Sequence, residues 1–217
     1  MRDAPDYTPA LRFHLLTTFY DSVMDRLMHD TEIKRRLIRQ IGAKAGQKIV
    51  DVGCGTGTLS ILLKKDFPCA EVFGVDIDPN VLRIAERKRS EANVELVLRR
   101  SAAQSLPFET GSMDQAISSL VLHHLPLTAK RETLREIARV LRPGGRFHLL
   151  DWGKGDNVYE RVAFALVRLL DGFETTRENA QGQVASLLME AGFADVTPTF
   201  SEAVPLGRLQ CFEAVRN

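Results

Sequence analysis

The segment from Lys48 to Asp76 constrains this chain more than any other. Lys48-Ile-Val-Asp-Val52 is a short, apolar, β-branched run that breaks directly into Gly53-Cys-Gly-Thr-Gly57. A run of this kind bounded by glycines reads as a buried strand. Leu59, Leu62, Leu63 and Phe67 follow at helical spacing, Pro68 closes the helix, and Val72 to Asp76 reads as a second strand. A strand–helix–strand order needs a crossover, and hence parallel strands covered by helices.

Glycines at that turn let the backbone approach a ligand with no Cβ in the way. The helix start behind them offers unpaired N–H groups and a positive dipole end. Asp76 stands nineteen residues after Gly57, at the end of the next strand. A carboxylate there can accept both hydroxyls of a ribose. The plainer alternatives are a tight turn without a ligand, and a capping or solvated carboxylate, although Asp78 is the better placed cap. The spacing G-x-G-x-G, preceded by Asp51, lacks the third glycine position of a dinucleotide loop, and no G-K-[ST] triplet serves a nucleoside triphosphate.

The alternation continues downstream. Asp78-Pro79 supplies an N-cap and a proline at the first position of a helix running through Arg89. Val94 to Leu98, Met113 to Ser118 and Arg146 to Asp151 read as further strands. Leu134, Ile137, Ala138 and Leu141 form a helical stripe stopped by Pro143-Gly144-Gly145. In the C-terminal part, Val158 to Leu170 is a helix apolar nearly all round, and Gln183 to Ala191 is another, with Gly192 beyond its end. Val196 to Phe200 and Leu209 to Val215 are two last strands, separated by Pro205 and Gly207, which suit an antiparallel pair at the sheet edge. Before the core, Leu16, Phe19, Tyr20, Val23, Met24 and Leu27 mark a first helix. Thr31 is the expected N-cap of a second, which carries Ile33, Leu37, Ile38 and Ile41 to Gly42. Its Lys34, Arg35, Arg36 and Arg39 read as a solvated face.

Composition sets the outer limits. Of 217 residues, 44% are hydrophobic and 26% charged, which suits one globular α/β domain. Twenty-nine basic residues against twenty-eight acidic ones leave a formal charge of +1, so the global footprint of a nucleic-acid binder is missing. Cys54, Cys69 and Cys211 form no metal-ligand spacing and suit a reducing compartment. The first residues lack a basic start and apolar stretch, and no window reaches about eighteen apolar residues. The expectation is a cytoplasmic chain with no transmembrane segment. Its oligomeric state is left open.

Four segments agree in order and spacing with one family. Asp51-Val-Gly-Cys-Gly-Thr-Gly57, Gly74-Val-Asp-Ile-Asp-Pro79, Ser118-Ser-Leu-Val-Leu-His-His-Leu-Pro126 and Leu141-Arg-Pro-Gly-Gly-Arg-Phe-His-Leu-Leu-Asp-Trp152 resemble the motifs of class I S-adenosylmethionine-dependent methyltransferases. The resemblance covers roughly Gln47 to Trp152. It implies a Rossmann-like three-layer sandwich, with a seven-stranded, mostly parallel sheet whose last strand is antiparallel, plus N-terminal helices. The expected organisation is one domain: 1–45 a helical cap, 46–152 the cofactor-binding core, and 153–217 the substrate-side helices and last two strands. The implied cofactor is S-adenosyl-L-methionine and the product S-adenosyl-L-homocysteine. Gly53, Cys54, Gly55 and Gly57 would form the loop against the methionyl and ribose portion. Asp76 would take the ribose hydroxyls, Ile77 would pack on the adenine, and backbone atoms of Ser118 and Ser119 would lie near the methionyl amino group. Asp51 would orient the loop or contact that amino group through water. One departure concerns Ser101-Ala102-Ala103, where the family often has Gly-Asp-Ala. The acid that accepts from the adenine amino group is Ala102 here, which predicts weaker affinity by one charge-assisted hydrogen bond, about 1.5–3 kcal/mol.

Methyl transfer from a sulfonium is an in-line displacement, for which alignment and exclusion of water supply much of the acceleration. It requires no metal. A phenol or enol acceptor gains from a base, by about 100- to 10,000-fold. His123, His124 and Asp151, at the ends of the fourth and fifth strands, are the candidates. His148, inside the fifth strand, reads as a satisfied core histidine. Tyr20, His124 and Trp152 are the candidate substrate contacts, and the aromatic stretches around them suggest a small, rather apolar acceptor. Tyr20-Asp21 resembles the quinone and phospholipid branch, but the loop after the fourth strand lacks the Asn-containing quinone signature. An Asn/Asp-Pro-Pro-Tyr/Phe segment is also absent there, which disfavours nucleic-acid base methylation. A non-catalytic S-adenosylmethionine-binding regulator stays open as the alternative.

Overall fold

The computed structural model describes residues 30–217. The expected first helix and Tyr20 lie outside the described residues. Helix α1 (Asp30–Ile41) buries Ile33, Leu37, Ile38 and Ile41 on one face and ends at Gly42, whose φ is 50°. Asp30 is already helical, so Thr31 lies inside the helix and does not cap it.

The alternation seen in the sequence is the fold. Strands β1 (Lys48–Val52), β2 (Glu71–Asp76), β3 (Val97–Arg100), β4 (Met113–Ser119) and β5 (Leu141–Trp152) are parallel neighbours in the order β3-β2-β1-β4-β5. Helices α2 (Thr58–Asp66), α3 (Pro79–Ala92) and α4 (Leu127–Val140) make the crossovers. Beyond them come α5 (Val158–Asp171), the short α6 (Arg177–Gln181) and α7 (Val184–Glu190). Strands β6 (Phe193–Val204) and β7 (Gly207–Arg216) complete a seven-stranded sheet in which β7 lies between β5 and β6, antiparallel to both.

Side chains alternate across a strand, so each strand feeds two cores. Leu150 and Trp152 of β5 join Leu37, Leu63 and Phe164 on one face. Phe147 and Leu149 join Val50, Ile137 and Leu188 on the other. Strand order reverses between β1 and β4, since β2 and β3 lie to one side and β5 to the other. A sheet of this kind opens its ligand crevice at the carboxyl ends of those two strands.

Three expectations shift. The third strand occupies Val97–Arg100, because α3 runs on to Ala92 and needs the left-handed Asn93 (φ 50°) before the chain can turn. An edge strand with one neighbour carries no strong apolar alternation to mark it. Pro143-Gly144-Gly145 lies within β5 as an irregularity of the ladder, after α4 has stopped at Val140. Helix α5, apolar nearly all round, packs only through Ala163, Phe164, Val167 and the carboxyl-bearing Glu160. Val158, Val162, Leu166, Leu169 and Leu170 face outward.

Candidate active site

The glycine loop is shaped by three different demands. Gly53, Gly55 and Gly57 all hold positive φ, at 76°, 53° and 76°. A Cβ at Gly53 would lie 2.4 Å from Val121 Cγ2, and one at Gly57 would lie 3.0 Å from Ala85 Cβ of α3. At Gly55 such a Cβ would meet nothing within 4 Å, so this glycine faces the open crevice. Gly53 and Cys54 both donate their N–H to Val75 O, at 2.8 and 3.0 Å. Cys54 itself is buried, its thiol pushed up by burial and by the nearby Asp51.

Asp76 ties the loop to the second strand before any ligand is considered. Its Oδ2 accepts from Gly55 N–H and its Oδ1 from Asp78 N–H, both at 2.9 Å. Asp78 caps α3 by accepting from Asn80 N–H at 2.7 Å. Asp51 lies beneath the loop, fully buried, and accepts from Ser60 Oγ. Burial pushes Asp51 up to about 6, opposed by the Ser60 hydroxyl, and Asp76 adds repulsion. Burial also raises Asp76, against the backbone N–H groups that favour its charge. Two desolvated acids at one strand edge make a receptor for positive charge. Ile77 is half-buried beside them. Ala102 and Ala103 follow β3 in a turn anchored by Ser101 N–H on Asp76 O at 3.0 Å.

The far side of the crevice begins where β4 ends. Ser118 is buried and donates its hydroxyl to Val52 O at 3.1 Å, while Ser119 is half-buried. Leu120 then takes φ 58°, an uncommon value for a branched residue, and leads into the single 3₁₀ turn Leu122–His124. That turn brings His123 onto Asp151 at the end of β5. His123 Nδ1 lies 2.7 Å from Asp151 Oδ1, and His123 N–H donates to Oδ2 at 3.3 Å. Trp152 N–H donates to the same carboxylate at 2.7 Å. Burial works to raise Asp151, but the His123 ring and these hydrogen bonds hold it below the usual carboxylate range. Asp151 is 1% exposed, so it meets the rim only through the His123 ring that it binds. Trp152 is also buried, tilted against Phe164 at 5.2 Å and edge-on to His123 at 6.4 Å.

Several residues of this rim were not identified from the sequence. Asn179 of α6 donates to Trp152 O at 2.8 Å and to Asp151 Oδ1 at 3.3 Å. Lys130 of α4, fully buried, binds Glu178 at 2.6 Å and Asn179 Oδ1 at 3.3 Å. Lys130 sits one turn before Leu134 on the apolar stripe of α4, and a lysine in that place was the available signal. Asp171, at the end of α5, lies 3.7 Å from both His123 Nε2 and His124 Nδ1. Burial and the charge of His123 lower His124 to about 3. His148 is a satisfied core histidine, as expected. Its Nδ1 lies 3.0 Å from Gln40 Nε2, its Nε2 lies 2.9 Å from Gln115 Oε1, and burial lowers it to about 4.

Residues 49–145 match the model of a methyltransferase domain family. The chain is 35% identical over 136 residues to a demethylmenaquinone methyltransferase of Thermus thermophilus, covering 61% of this chain and 60% of the relative. An uncharacterized protein of Haemophilus influenzae is 31% identical over 179 residues, covering 78% of this chain and 67% of that one. Residues 49–145 thus carry the signature of a methyltransferase domain, and this part of the chain is similar to S-adenosylmethionine-dependent methyltransferases. The family's cofactor is S-adenosylmethionine, and the open face at Gly55 with the two raised acids suits a cationic nucleoside. The fold is shared with an S-adenosylmethionine-dependent methyltransferase of Aquifex aeolicus, with TM-score 0.69, 18% identity, and 94% and 97% of the two chains covered. It is also shared with magnesium protoporphyrin IX methyltransferase of Synechocystis, solved with S-adenosylhomocysteine, with TM-score 0.68, 22% identity, and 86% and 83% covered. The chain spans about three fifths of the Thermus relative's length. Among the described residues, no helix is long and apolar enough to cross a membrane.

Proposed function

We propose that this chain transfers the methyl group of S-adenosylmethionine to a small, rather apolar acceptor that carries an acidic oxygen, a phenol, quinol or enol. The observation that carries this reading is the pairing of His123 with buried Asp151 at the sheet end where the glycine loop and Asp76 open. The cofactor supplies a methyl group on a sulfonium, displaced in line. Residues 46–152 would hold it, with Asp76 keeping the loop closed on β2 while its remaining lone pairs take the ribose hydroxyls. Asp51 would supply the buried negative charge facing the sulfonium and amino group. On the other side, Asp151 accepts the Nδ1 proton of His123, and the Nε2 lone pair of this buried ring, which faces Asp171 at 3.7 Å, would take the acceptor's proton once the acceptor enters between them. Asn179 and the Trp152 N–H hold Asp151 in place.

Residues 153–217 would form the acceptor wall. An aromatic or quinol acceptor is supported by Trp152 and Phe164 behind the histidine, and by relatives named as demethylmenaquinone methyltransferases. Transfer of labelled methyl from S-adenosylmethionine to hydroxylated naphthoquinols and simple phenols tests the reading. Turnover that collapses in Asp151→Asn while S-adenosylhomocysteine still binds is the expected result. Binding of that nucleoside with no transfer to the oxygen or the ring carbon of any such acceptor would overturn it.

A further inference from the structure

Among the described residues, three potential metal-ligating side chains converge at one point of the acceptor rim. Their ligand atoms, one each from His123, His124 and Asp171, all lie within 4.8 Å of one another. The Asp171 carboxylate accepts no direct hydrogen bond among the described residues; its polar neighbours are the two rings, each at 3.7 Å. That distance is too long for a hydrogen bond. It is close to the separation of two donors sharing one small cation, since ligands about 2.1 Å from an ion at a tetrahedral angle lie about 3.4 Å apart. The ring of His124 likewise has no hydrogen bond closer than this contact. The two contacts use different oxygens of Asp171, so the three side chains must draw together from their present separations, all within 4.8 Å, to close on an ion.

Two further features point the same way. His123 Nδ1 is held by buried Asp151, which directs the free lone pair of Nε2 toward Asp171. A carboxylate behind a histidine is the arrangement that orients metal-ligating imidazoles. The three residues stand on regular backbone, a 3₁₀ turn after β4 and the last turn of α5. Three protein ligands leave a coordination position open, as in zinc sites that bind a substrate oxygen.

We propose that His123, His124 and Asp171 bind a divalent first-row transition ion of the zinc type, with its open position turned to the acceptor oxygen. This deepens the methyl-transfer reading and rests on it for the acceptor. The ion would occupy the Nε2 lone pair that otherwise takes the acceptor's proton, so metal-bound and proton-accepting His123 are exclusive states. Nitrogen and carboxylate donors together favour zinc or cobalt over magnesium or calcium.

The experiment titrates chelator-treated full-length protein with Co²⁺ alone, following the visible absorption of a low-coordinate cobalt centre, and then displaces it with Zn²⁺. Asp171→Asn and His124→Gln should abolish the absorption, and Asp151→Asn should weaken binding by about 10- to 100-fold. Thermal melts of each variant establish that it is folded. No absorption in the wild type, or equal binding by wild type and both ligand variants, would overturn the site. Calorimetry with S-adenosylhomocysteine, run with and without chelator, separates the two readings. Unchanged heat with no cobalt spectrum removes the metal and leaves the methyltransferase reading standing, whereas a cobalt spectrum without methyl transfer leaves the site and removes the acceptor assignment.

Discussion

The two sides of the crevice are built in opposite ways. The cofactor side is local: Asp51 to Gly57 and Asp76 to Asp78 are joined by backbone hydrogen bonds and one carboxylate, within a single β–α–β unit. The acceptor side gathers Lys130, His123, Asp151, Asp171 and Asn179 from five separate elements. Their charges differ as well. Asp51 and Asp76 are desolvated acids held above their ordinary range, because burial outweighs the Ser60 hydroxyl, the charge of Lys34 and the backbone N–H groups that favour their charge. Asp151 is held below its ordinary range by a histidine and N–H donors already in place. One side stores its electrostatic demand for a ligand, and the other satisfies it internally to aim a ring. Recognition and activation can therefore be disturbed separately.

Substitutions should show that separation, and the largest effect falls on the acceptor side. Asp151→Asn should slow transfer to an oxygen acceptor by about 100- to 10,000-fold. Calorimetry should find S-adenosylhomocysteine affinity unchanged, and a parallel loss of affinity would break the comparison. Next in size is the pH dependence of stability. Folded Asp51 keeps its proton up to about pH 6, whereas the unfolded chain releases it near 3.8, so the folded state binds more protons in that interval. Stability therefore falls as pH rises from about 4 to about 6, by roughly 3 kcal/mol for the two-unit shift. Urea midpoints should show this slope in the wild type and lose it in Asp51→Asn. A saturating cationic cofactor should flatten it as well.

Asp76→Asn should weaken S-adenosylhomocysteine by about ten- to hundredfold, through a lost charge-assisted acceptor and a looser Gly55. Unaltered affinity would mean that the sugar is held elsewhere. The smallest change is a gain. Ala102→Asp, in the turn after β3, should tighten cofactor binding by about tenfold, the low end for one charged hydrogen bond on a half-exposed turn. No tightening would show that the adenine amino group already has a partner.

The same division governs what could be read in advance. The β–α alternation, the strand pair Lys48–Val52 and Glu71–Asp76, the Asp78 cap and the antiparallel return at the edge were legible, because each is a pattern of neighbours along the chain. The third strand slid by a few residues because an edge strand with one partner needs little apolar alternation. His123, His124 and Asp151 were recognisable as candidates, but nothing in their spacing showed that Asp151 grips His123. Asp171 and Asn179 were invisible as site residues for the same reason, and Lys130 was marked only by standing on the apolar stripe of α4.

Sequence alone determined the β–α–β unit proposed to grip a cationic nucleoside. It depends on glycine backbone angles and on a carboxylate one crossover away, and both are written in short-range order. Only the tertiary structure decided which histidine is held, by which acid, and that a second carboxylate meets both rings. Those contacts are made across the sheet, where the packing of α4, α5 and α6 against β4 and β5 brings distant side chains within bonding reach. Their energy comes from burial and pairing of charges that are far apart in the unfolded chain.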